Sequence, residues 1–247
     1  DSAAPRWSVV IPAFNEAVRL PPYLREVAAH FDGRGEPYEI LVVDDGSRDA
    51  TGDGVREVAR RHPAVVLHTL PENRGKGHAV RAGMLRARGA LRLMADADGA
   101  TPIVEVKRLE AAIEAGADLA VGSRALRDPS VMVRTRTHRR LSGQVFNAIA
   151  RALGVRAVVD TQCGFKLFRG AVAEALFGAV VTDGFGFDVE VILLAQRRGY
   201  RIAEVPINWT DQPGSKVGVL RNGPGMVAEI VSVRARLALR RRPSSSS

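Results

Sequence analysis

Two aspartates separated by a single residue, Asp96 and Asp98, directly follow an apolar run at residues 90–95. Because they lie in a predicted loop rather than in a strand, their carboxylates can turn toward one point. A hard divalent cation that bridges a diphosphate takes such oxygen ligands, and it needs only one or two carboxylates besides the phosphate oxygens. Aspartate and glycine are also typical of turns, so the segment alone is about as consistent with a turn as with a metal site.

A second acidic pair, Asp44 and Asp45, follows the apolar run at residues 38–43 and precedes Gly46 and Ser47. A carboxylate at this place can accept hydrogen bonds from ribose hydroxyls or from a base edge. A turn that leads into the N-cap of the next helix is the simpler interpretation, and for this segment alone the sequence favours it.

Residues 73–77, with the sequence Asn-Arg-Gly-Lys-Gly, combine two cationic side chains with two glycines at a predicted helix start. Helix N-termini bind phosphate through their backbone N–H groups, so the segment is suited to cradle a phosphate. It matches neither the Walker A motif nor the dinucleotide-binding fingerprint, and neither pattern occurs elsewhere in the chain. Taken singly, it is weak evidence.

Polar residues interrupt otherwise apolar segments in the second half of the chain: Asp160, Lys166, Asp183, Asp188 and Glu190. Two interpretations remain open for Asp188 and Glu190. They line a site, or they face water, because Phe187 and Val191 mark the core side of their predicted helix.

Other catalytic chemistries find no support in the sequence. The five histidines lie mostly in predicted helices or next to strand ends, and no nucleophile-elbow motif accompanies them. The single cysteine, Cys163, has no CxxC partner and cannot form an internal disulfide, so we expect neither a structural zinc site nor an oxidising compartment. We expect its thiol to be a small buried apolar group.

Short apolar strands and helices alternate through the first half, which predicts βαβ units and a parallel sheet. The predicted strands are 7–12, 38–43, 64–70, 90–95 and 117–122, and the helices are 20–31, 51–61, 78–88 and 102–114, the last with Thr101 as N-cap and Pro102 at its first position. Right-handed crossovers then place the loops 13–16, 44–47, 72–77 and 96–99 at the carboxyl edge of the sheet, where ligands bind. This convergence follows from the pattern alone.

The second half is less regular. We predict helices at 136–153, 187–198 and 225–242, of which the first and the last are basic and amphipathic, and strands at 163–168 and 201–209. Pro206 indicates an edge position for the last strand, because proline cannot donate a ladder hydrogen bond.

Composition and charge narrow the class of protein. With 46% hydrophobic and 26% charged residues among 247, the chain is typical of a globular protein. It carries a net charge of +9, concentrated in residues 124–156 (net +7) and 213–242 (net +6). These runs are solvated basic faces or attract an anionic surface, and the absence of interleaved aromatic residues argues against nucleic acid. We expect no transmembrane helix and no signal peptide, and the lack of an initiator Met leaves room for a missing upstream piece.

Eight segments in natural order resemble the inverting GT-A glycosyltransferases of family 2, and within them the dolichyl-phosphate β-glucosyltransferase branch. They are VVIPAFNE, ILVVDDGS, ENRGKGHAV, LMADADGAT, AVGSR, DTQCGFKLF, GFDVE and INWT, and they extend over about residues 7–220. Each segment alone is weak, whereas eight in order are highly specific. The segments DADGAT and DTQCGFKLF favour the glucosyl over the mannosyl branch. The resemblance implies a Rossmann-like, mostly parallel sheet flanked by helices.

The resemblance also implies residue roles. The nucleotide would be bound by Pro12, Ala13, Asn15, Glu16, Asp44, Asp45, Arg74, Gly75, Lys76, Asp96 and Ala97. Asp96 and Asp98 would hold Mg2+ or Mn2+ through the diphosphate. Arg124, with Arg139 or Arg140, would bind the acceptor phosphate. The sugar and acceptor side would be lined by Asp160, Gln162, Lys166, Asp188 and Glu190, and Lys216 would close over the diphosphate. The implied catalytic residues are Asp98, Asp160, Asp188 and Lys216.

The implied reaction moves glucose from UDP-glucose to a polyprenyl phosphate at a membrane surface. Many relatives carry a membrane-spanning helix, whereas we expect none in this chain. We therefore expect peripheral attachment at the cytoplasmic face through the two basic amphipathic helices, 136–153 and 225–242, with their apolar stripes on the bilayer. The predicted organisation is a catalytic domain at 1–222, a basic helix at 223–243 and a disordered tail at 244–247. Three alternatives stay open: another donor such as GDP-mannose or a UDP-N-acetylhexosamine, a sugar nucleotidyltransferase, and a non-catalytic nucleotide-binding module.

Overall fold

The structure is a computed structural model of the chain, and it describes residues 4–135, 147–212 and 219–239. In chain order its strands are β1 Trp7–Ala13, β2 Tyr38–Asp44, β3 Val65–Thr69, β4 Leu91–Met94, β5 Leu119–Ser123, β6 Val133–Arg134, β7 Lys166–Arg169, β8 Ile202–Pro206 and β9 Trp209–Thr210. Its helices are α1 Leu20–Asp32, α2 Thr51–Ala59, α3 Lys76–Arg86, α4 Val106–Glu114, α5 at 147–152, α6 Gly170–Phe177, α7 Phe187–Arg197 and α8 Val219–Leu239.

Seven strands form one twisted sheet in the order β3-β2-β1-β4-β7-β5-β8. Neighbouring strands run parallel except around β7, which is antiparallel to both β4 and β5. The predicted mostly parallel sheet is therefore confirmed, and β8, which ends at Pro206, lies at an edge as expected. A second, two-stranded sheet pairs β6 with β9.

Two apolar cores cover the two faces of the sheet. Side chains of a strand alternate between faces, so Val10 packs with α3, α6, α7 and α8, whereas Val9 and Ile11 pack with α1, α2 and α4. Because helices cover both faces, β1 and β2 are almost entirely buried along their length. This burial holds the strand ends in place and fixes where the following loops emerge.

The start of α4 differs from the prediction. Pro102 is extended (φ −58°, ψ 138°), and a single 3-10 turn at Ile103–Glu105 precedes the α-helix. The expected role of Thr101 as N-cap is therefore wrong, because Pro102 takes the N-cap position, and its fixed φ is compatible with extended chain as well as with a helix. Instead, the Thr101 carbonyl accepts a hydrogen bond from the Tyr23 hydroxyl at 3.2 Å.

The predicted helix 136–153 is described only at residues 147–153, of which 147–152 are helical, and residues 136–146 lie outside the described part. The predicted helix 225–242 corresponds to α8. Its apolar stripe, Ile230, Val233 and Leu237, is buried in the core, so the expectation that this stripe faces a bilayer is wrong. The periodicity of a helix identifies an apolar face but does not say what covers it.

Helix α6 and the pairing of β6 with β9 were not predicted from the sequence. Helix α6 is apolar along nearly its whole length, and β6 and β9 have only two residues each, so neither shows a period. In the described part of the chain, no helix combines the length and the apolar character that crossing a membrane requires. The proposed division into residues 1–222, 223–243 and 244–247 remains a prediction.

Candidate active site

The loops after β1, β3 and β4 meet at the carboxyl edge of the sheet, as the strand pattern predicts. Lys76 begins α3, and its Nζ lies 2.5 Å from Asp96 Oδ1. Arg19 Nη1 lies 3.7 Å from Asp98 Oδ2, and the same guanidinium holds Glu16 at 2.5 and 2.7 Å. Asp96 and Asp98 therefore share one polar site with cations from two other loops.

Asp96 is packed tightly against Gly164, a residue that the sequence analysis did not single out. A Cβ added to Gly164 would lie 2.0 Å from Asp96 Oδ2, so any other residue would displace the carboxylate. The signal was present in the sequence, since Gly164 lies inside the DTQCGFKLF segment, but its task follows only from the packing. Arg19 was also missed, and it lies outside the eight segments.

The predicted nucleotide-binding residues of the first two loops are linked by hydrogen bonds. The Asn15 N–H donates to Ser47 Oγ at 2.8 Å, and the Arg48 N–H donates to Asn15 Oδ1 at 2.8 Å. Asn15 has a φ of +54°, which an asparagine tolerates better than most residues. Pro12 and Ala13 end β1 beside β2, so all these residues line the same edge.

Asp44 and Asp45 are both buried, and each organises a loop. Asp44 accepts the Ser47 N–H at 3.0 Å, which is the turn contact that the simpler interpretation expects. Asp45 accepts the N–H groups of Arg74 and Gly75 at 3.0 and 2.8 Å, so it holds the segment before Lys76. The pair thus joins the second loop to the 73–77 segment.

Within electrostatic range of Asp96, Arg124 and Asp160 form a bidentate ion pair. Arg124 Nε lies 2.7 Å and Nη2 2.8 Å from the Asp160 carboxylate, which also accepts the Arg124 backbone N–H at 3.0 Å. The guanidinium lies 5.4 Å from the Trp209 ring. Behind it, Glu204 accepts the backbone N–H groups of Val159 and Asp160, both at 2.9 Å. Trp209 and Glu204 were not predicted as site residues.

Lys166 and Asp188 form a second, fully buried ion pair beneath the site. Lys166 Nζ contacts Asp188 Oδ1 and donates to the Cys163 carbonyl at 2.6 Å. Asp188 is therefore buried. The interpretation that it faces water is wrong. Glu190 is also buried, but its carboxylate accepts the N–H groups of Val181 and Thr182 at 3.2 and 2.9 Å.

The charges of this cluster interact with one another. Burial alone would raise the pKa of Asp96, but the neighbouring charges of Lys76, Lys166 and Arg124 hold it below its usual range. Burial and the negative charge of Asp96 raise the pKa of Asp98. Arg124 therefore lies near enough to Asp96 to interact with it electrostatically. The site therefore combines two neighbouring carboxylates with four nearby cations, which are Arg19, Lys76, Arg124 and Lys166.

The acidic pair fits a divalent cation that is shared with a diphosphate. Placing such a cation between Asp96 and Asp98 would remove the repulsion that raises the pKa of Asp98. Within the described ranges, no group of three His, Cys, Asp or Glu side chains is arranged to hold a metal. The protein would accordingly supply carboxylates, and phosphate oxygens or water would supply the remaining ligands.

Three predicted site residues cannot be placed. Arg139, Arg140 and Lys216 lie outside the described residues, so their roles remain predictions. Gln162 is half-buried in the turn that connects Asp160 with Gly164, and Ala97 lies between Asp96 and Asp98 in sequence and is buried.

Comparison with known proteins agrees with this geometry. Residues 8–177 match the family described as glycosyl transferase family 2. The chain is 39% identical over 230 residues to a dolichyl-phosphate beta-glucosyltransferase from Drosophila melanogaster, covering 88% of this chain and 71% of that protein. It is 37% identical over 245 residues to a protein of the same name from Dictyostelium discoideum, covering 94% of this chain and 75% of that protein.

A solved structure shares the fold at much lower sequence identity. Glucosyl-3-phosphoglycerate synthase from Mycobacterium tuberculosis, in complex with Mn2+, UDP-glucose and phosphoglyceric acid, superimposes with a TM-score of 0.73 at 18% identity. The alignment covers 98% of this chain and 82% of that one. The two chains therefore share a fold over nearly the whole length of this one.

Proposed function

Because the chain belongs to glycosyl transferase family 2, we propose that it transfers glucose from UDP-glucose to a polyprenyl (dolichyl-type) phosphate, with inversion at the anomeric carbon. One observation carries the proposal. Asp96, one of the two aspartates at the carboxyl edge of the sheet, lies within electrostatic range of Arg124, so a nucleotide diphosphate at the acidic pair and an anionic acceptor at Arg124 can bind close together.

On the donor side, the loops after β1, β2 and β3 would bind the uridine and ribose, and Asp96 and Asp98 would hold a Mg2+ or Mn2+ ion with the diphosphate. The ion would supply positive charge to the departing UDP. Lys76 and Arg19 add two protein cations beside the same carboxylates. We propose Mn2+ as the first ion to test, since the structurally similar synthase was solved with it.

On the acceptor side, Arg124 would bind the lipid phosphate, and its bidentate pair with Asp160 fixes the direction of the guanidinium. A phosphate monoester is already anionic near neutral pH, so its oxygen can attack without a general base. The ion pair of Asp160 with Arg124 agrees with this, because the neighbouring guanidinium lowers the pKa of Asp160 and makes that carboxylate a poor proton acceptor. Positioning and charge compensation would provide most of the rate enhancement.

The acceptor lipid places the reaction at a membrane. We propose that the chain attaches peripherally at the cytoplasmic face through the basic segments 124–156 and 213–242. The buried stripe of α8 leaves the opposite side of this helix to approach the lipid headgroups.

The direct test is incubation with labelled UDP-glucose, Mn2+ and polyprenyl phosphate, followed by lipid extraction. We expect label in the lipid phase and release of UDP. Transfer only from GDP-mannose or a UDP-N-acetylhexosamine would mean that UDP-glucose is not the donor. Pyrophosphate release from a nucleoside triphosphate would indicate a nucleotidyltransferase, and UDP binding without any transfer would indicate a binding module.

A further inference from the structure

The chain between α6 and α7, residues 181–186, forms a layer between two other parts of the molecule; we name it the bridging loop. Its Asp183 carbonyl accepts the His78 N–H at 3.1 Å, and its Asp183 carboxylate accepts a hydrogen bond from Arg74 at 3.0 Å. The bridging loop therefore rests directly on the segment that carries Lys76.

Glycines allow this contact to be made by backbone alone. A Cβ on Gly75 would lie 2.6 Å from the Asp183 carbonyl oxygen. A Cβ on Gly77 would lie 2.4 Å from the Thr182 carbonyl oxygen. Because no flexible side chain separates the two segments, a shift of the bridging loop has to move the backbone on both sides of Lys76.

The opposite side of the bridging loop is held by α8. Glu229 Oε2 accepts the Gly186 N–H at 2.7 Å, and a Cβ on Gly184 would lie 1.9 Å from Glu229 Oε1. Arg236, two turns later, donates to Thr182 Oγ1 at 2.9 Å and lies 3.6 Å from Glu190 Oε1. Glu190, in α7, accepts the N–H groups of Val181 and Thr182. Arg236 thus holds the start of the bridging loop and Glu229 holds its end, so α8 contacts both ends.

We infer that α8 is a positioning element for the donor site, and that Glu229 and Arg236 are its positioning residues. The docked helix presses the bridging loop onto Gly75 and Gly77 and thereby keeps Lys76 against Asp96. The inference rests on the proposed function, because it assigns the 73–77 segment to the nucleotide. It adds that the basic helix proposed to lie near the membrane also controls donor binding, so attachment and donor affinity are linked.

The test compares UDP binding, in the presence of Mn2+ and without lipid, for two matched pairs of variants. Arg236→Ala and Arg234→Ala each remove one positive charge from α8, but only Arg236 contacts the bridging loop, whereas exposed Arg234 lies against Gly154. Glu229→Ala removes the acceptor for the Gly186 N–H, whereas Glu229→Gln keeps a carbonyl oxygen at that place.

We expect the UDP dissociation constant to rise at least about fivefold for Arg236→Ala and Glu229→Ala, as is usual for linked sites. Arg234→Ala and Glu229→Gln should stay within about twofold of the unmodified chain on the same criterion. In the transfer assay the same two damaging variants should raise the KM for UDP-glucose and leave kcat at saturating donor nearly unchanged. A purely structural defect would instead lower kcat and the unfolding midpoint together.

Equal UDP affinity for Arg236→Ala and Arg234→Ala would overturn the inference, and this pair decides the matter if Glu229→Ala does not fold. The two proposals fail separately. If the expected affinity pattern appears while no glucose reaches the lipid, the proposed reaction is wrong and the positioning role stands. If glucose is transferred while all four variants bind UDP alike, the positioning role is wrong.

Discussion

Asp96 and Asp98 are two residues apart, but their carboxylates occupy different electrostatic environments. Lys76 offsets the effect of burial on Asp96 and keeps its pKa low, whereas burial and the charge of Asp96 raise the pKa of Asp98. The surrounding cations therefore compensate the charge of Asp96 more fully than that of Asp98. A bound cation would change the environment of Asp98 more than that of Asp96.

Replacing Asp98 with Ala should abolish transfer with any divalent metal, with a loss greater than about 100-fold, because the nucleotide cation loses one of its two protein ligands. The assay is label transfer with Mg2+ and Mn2+ tested in turn. Asp53→Ala, at an exposed position on α2, is a control and should keep full activity. Normal turnover of Asp98→Ala would refute the metal assignment.

Gly164→Ala tests whether the packing around Asp96 matters as much as its charge. The new Cβ would fall 2.0 Å from Asp96 Oδ2, so the carboxylate has to move, and we expect kcat/KM to fall roughly 10- to 100-fold. At Gly33 a Cβ would meet only atoms 3.5 and 3.6 Å away, so Gly33→Ala is the matched control. Equal activity of the two variants would show that Asp96 needs no such support.

The Arg124–Asp160 pair predicts a pH dependence of stability. Burial would raise the pKa of Asp160, but the charge and hydrogen bonds of Arg124 lower it below its usual value. The pKa of Asp160 is lower in the folded than in the unfolded chain. The ionised Asp160 therefore stabilises the fold above the unfolded pKa of about 4, and this stabilisation is lost as the pH falls through the folded pKa. Asp160→Asn should cost about 2–4 kcal/mol of unfolding free energy at pH 7.

Urea denaturation at a series of pH values would measure this effect. Below about pH 4 the difference in unfolding free energy between the unmodified chain and Asp160→Asn should shrink. If the difference in unfolding free energy stays constant from pH 7 to pH 2, Arg124 does not lower the pKa of Asp160.

At the scale of elements, helix α3 shows how a site depends on where a helix begins. The sequence predicts a start at His78, and the structure places the start at Lys76, so Lys76 is in the first turn. The glycines around it contact the bridging loop, a partner more than one hundred residues away in sequence. Local propensity disfavours glycine in a helix, and only this distant contact explains its use at position 77.

Gly77→Ala separates these two effects. Helix propensity alone favours alanine by about 1 kcal/mol, but the new Cβ would lie 2.4 and 2.8 Å from the carbonyl oxygens of Thr182 and Gly184. We expect a net loss of about 1–3 kcal/mol in unfolding free energy together with weaker UDP binding. Gly52→Ala in α2, where a Cβ meets nothing closer than 3.5 Å, should stabilise the protein. If both substitutions stabilise the protein, the close contact of Gly77 with the bridging loop does not exist.

Across the whole molecule, the uneven charge predicts binding to anionic surfaces. Residues 124–156 and 213–242 carry net charges of +7 and +6, whereas the chain as a whole carries only +9. Each basic residue near an anionic leaflet contributes about 1 kcal/mol, and salt screens this attraction. We expect co-sedimentation with phosphatidylserine-containing vesicles that weakens as salt rises. Equal binding to neutral and anionic vesicles would contradict it.

The sequence by itself determined the parallel part of the sheet and the convergence of its loops. Strands β1, β2 and β4 are short apolar runs separated by amphipathic helices, and this local periodicity is sufficient to predict βαβ units with their carboxyl ends on one edge. The motif order likewise indicated the family. Both kinds of information are carried by residues close together in the chain.

The tertiary structure alone decided the features that depend on distant partners. The direction of β7, the clash that keeps Gly164 a glycine, the pairing of Asp188 with Lys166 and the face that α8 buries are all set by residues far apart in sequence. A pattern along the chain specifies which side of an element is apolar or charged. Which element covers that side follows from the packing of the whole core, because many segments compete for the same buried surface.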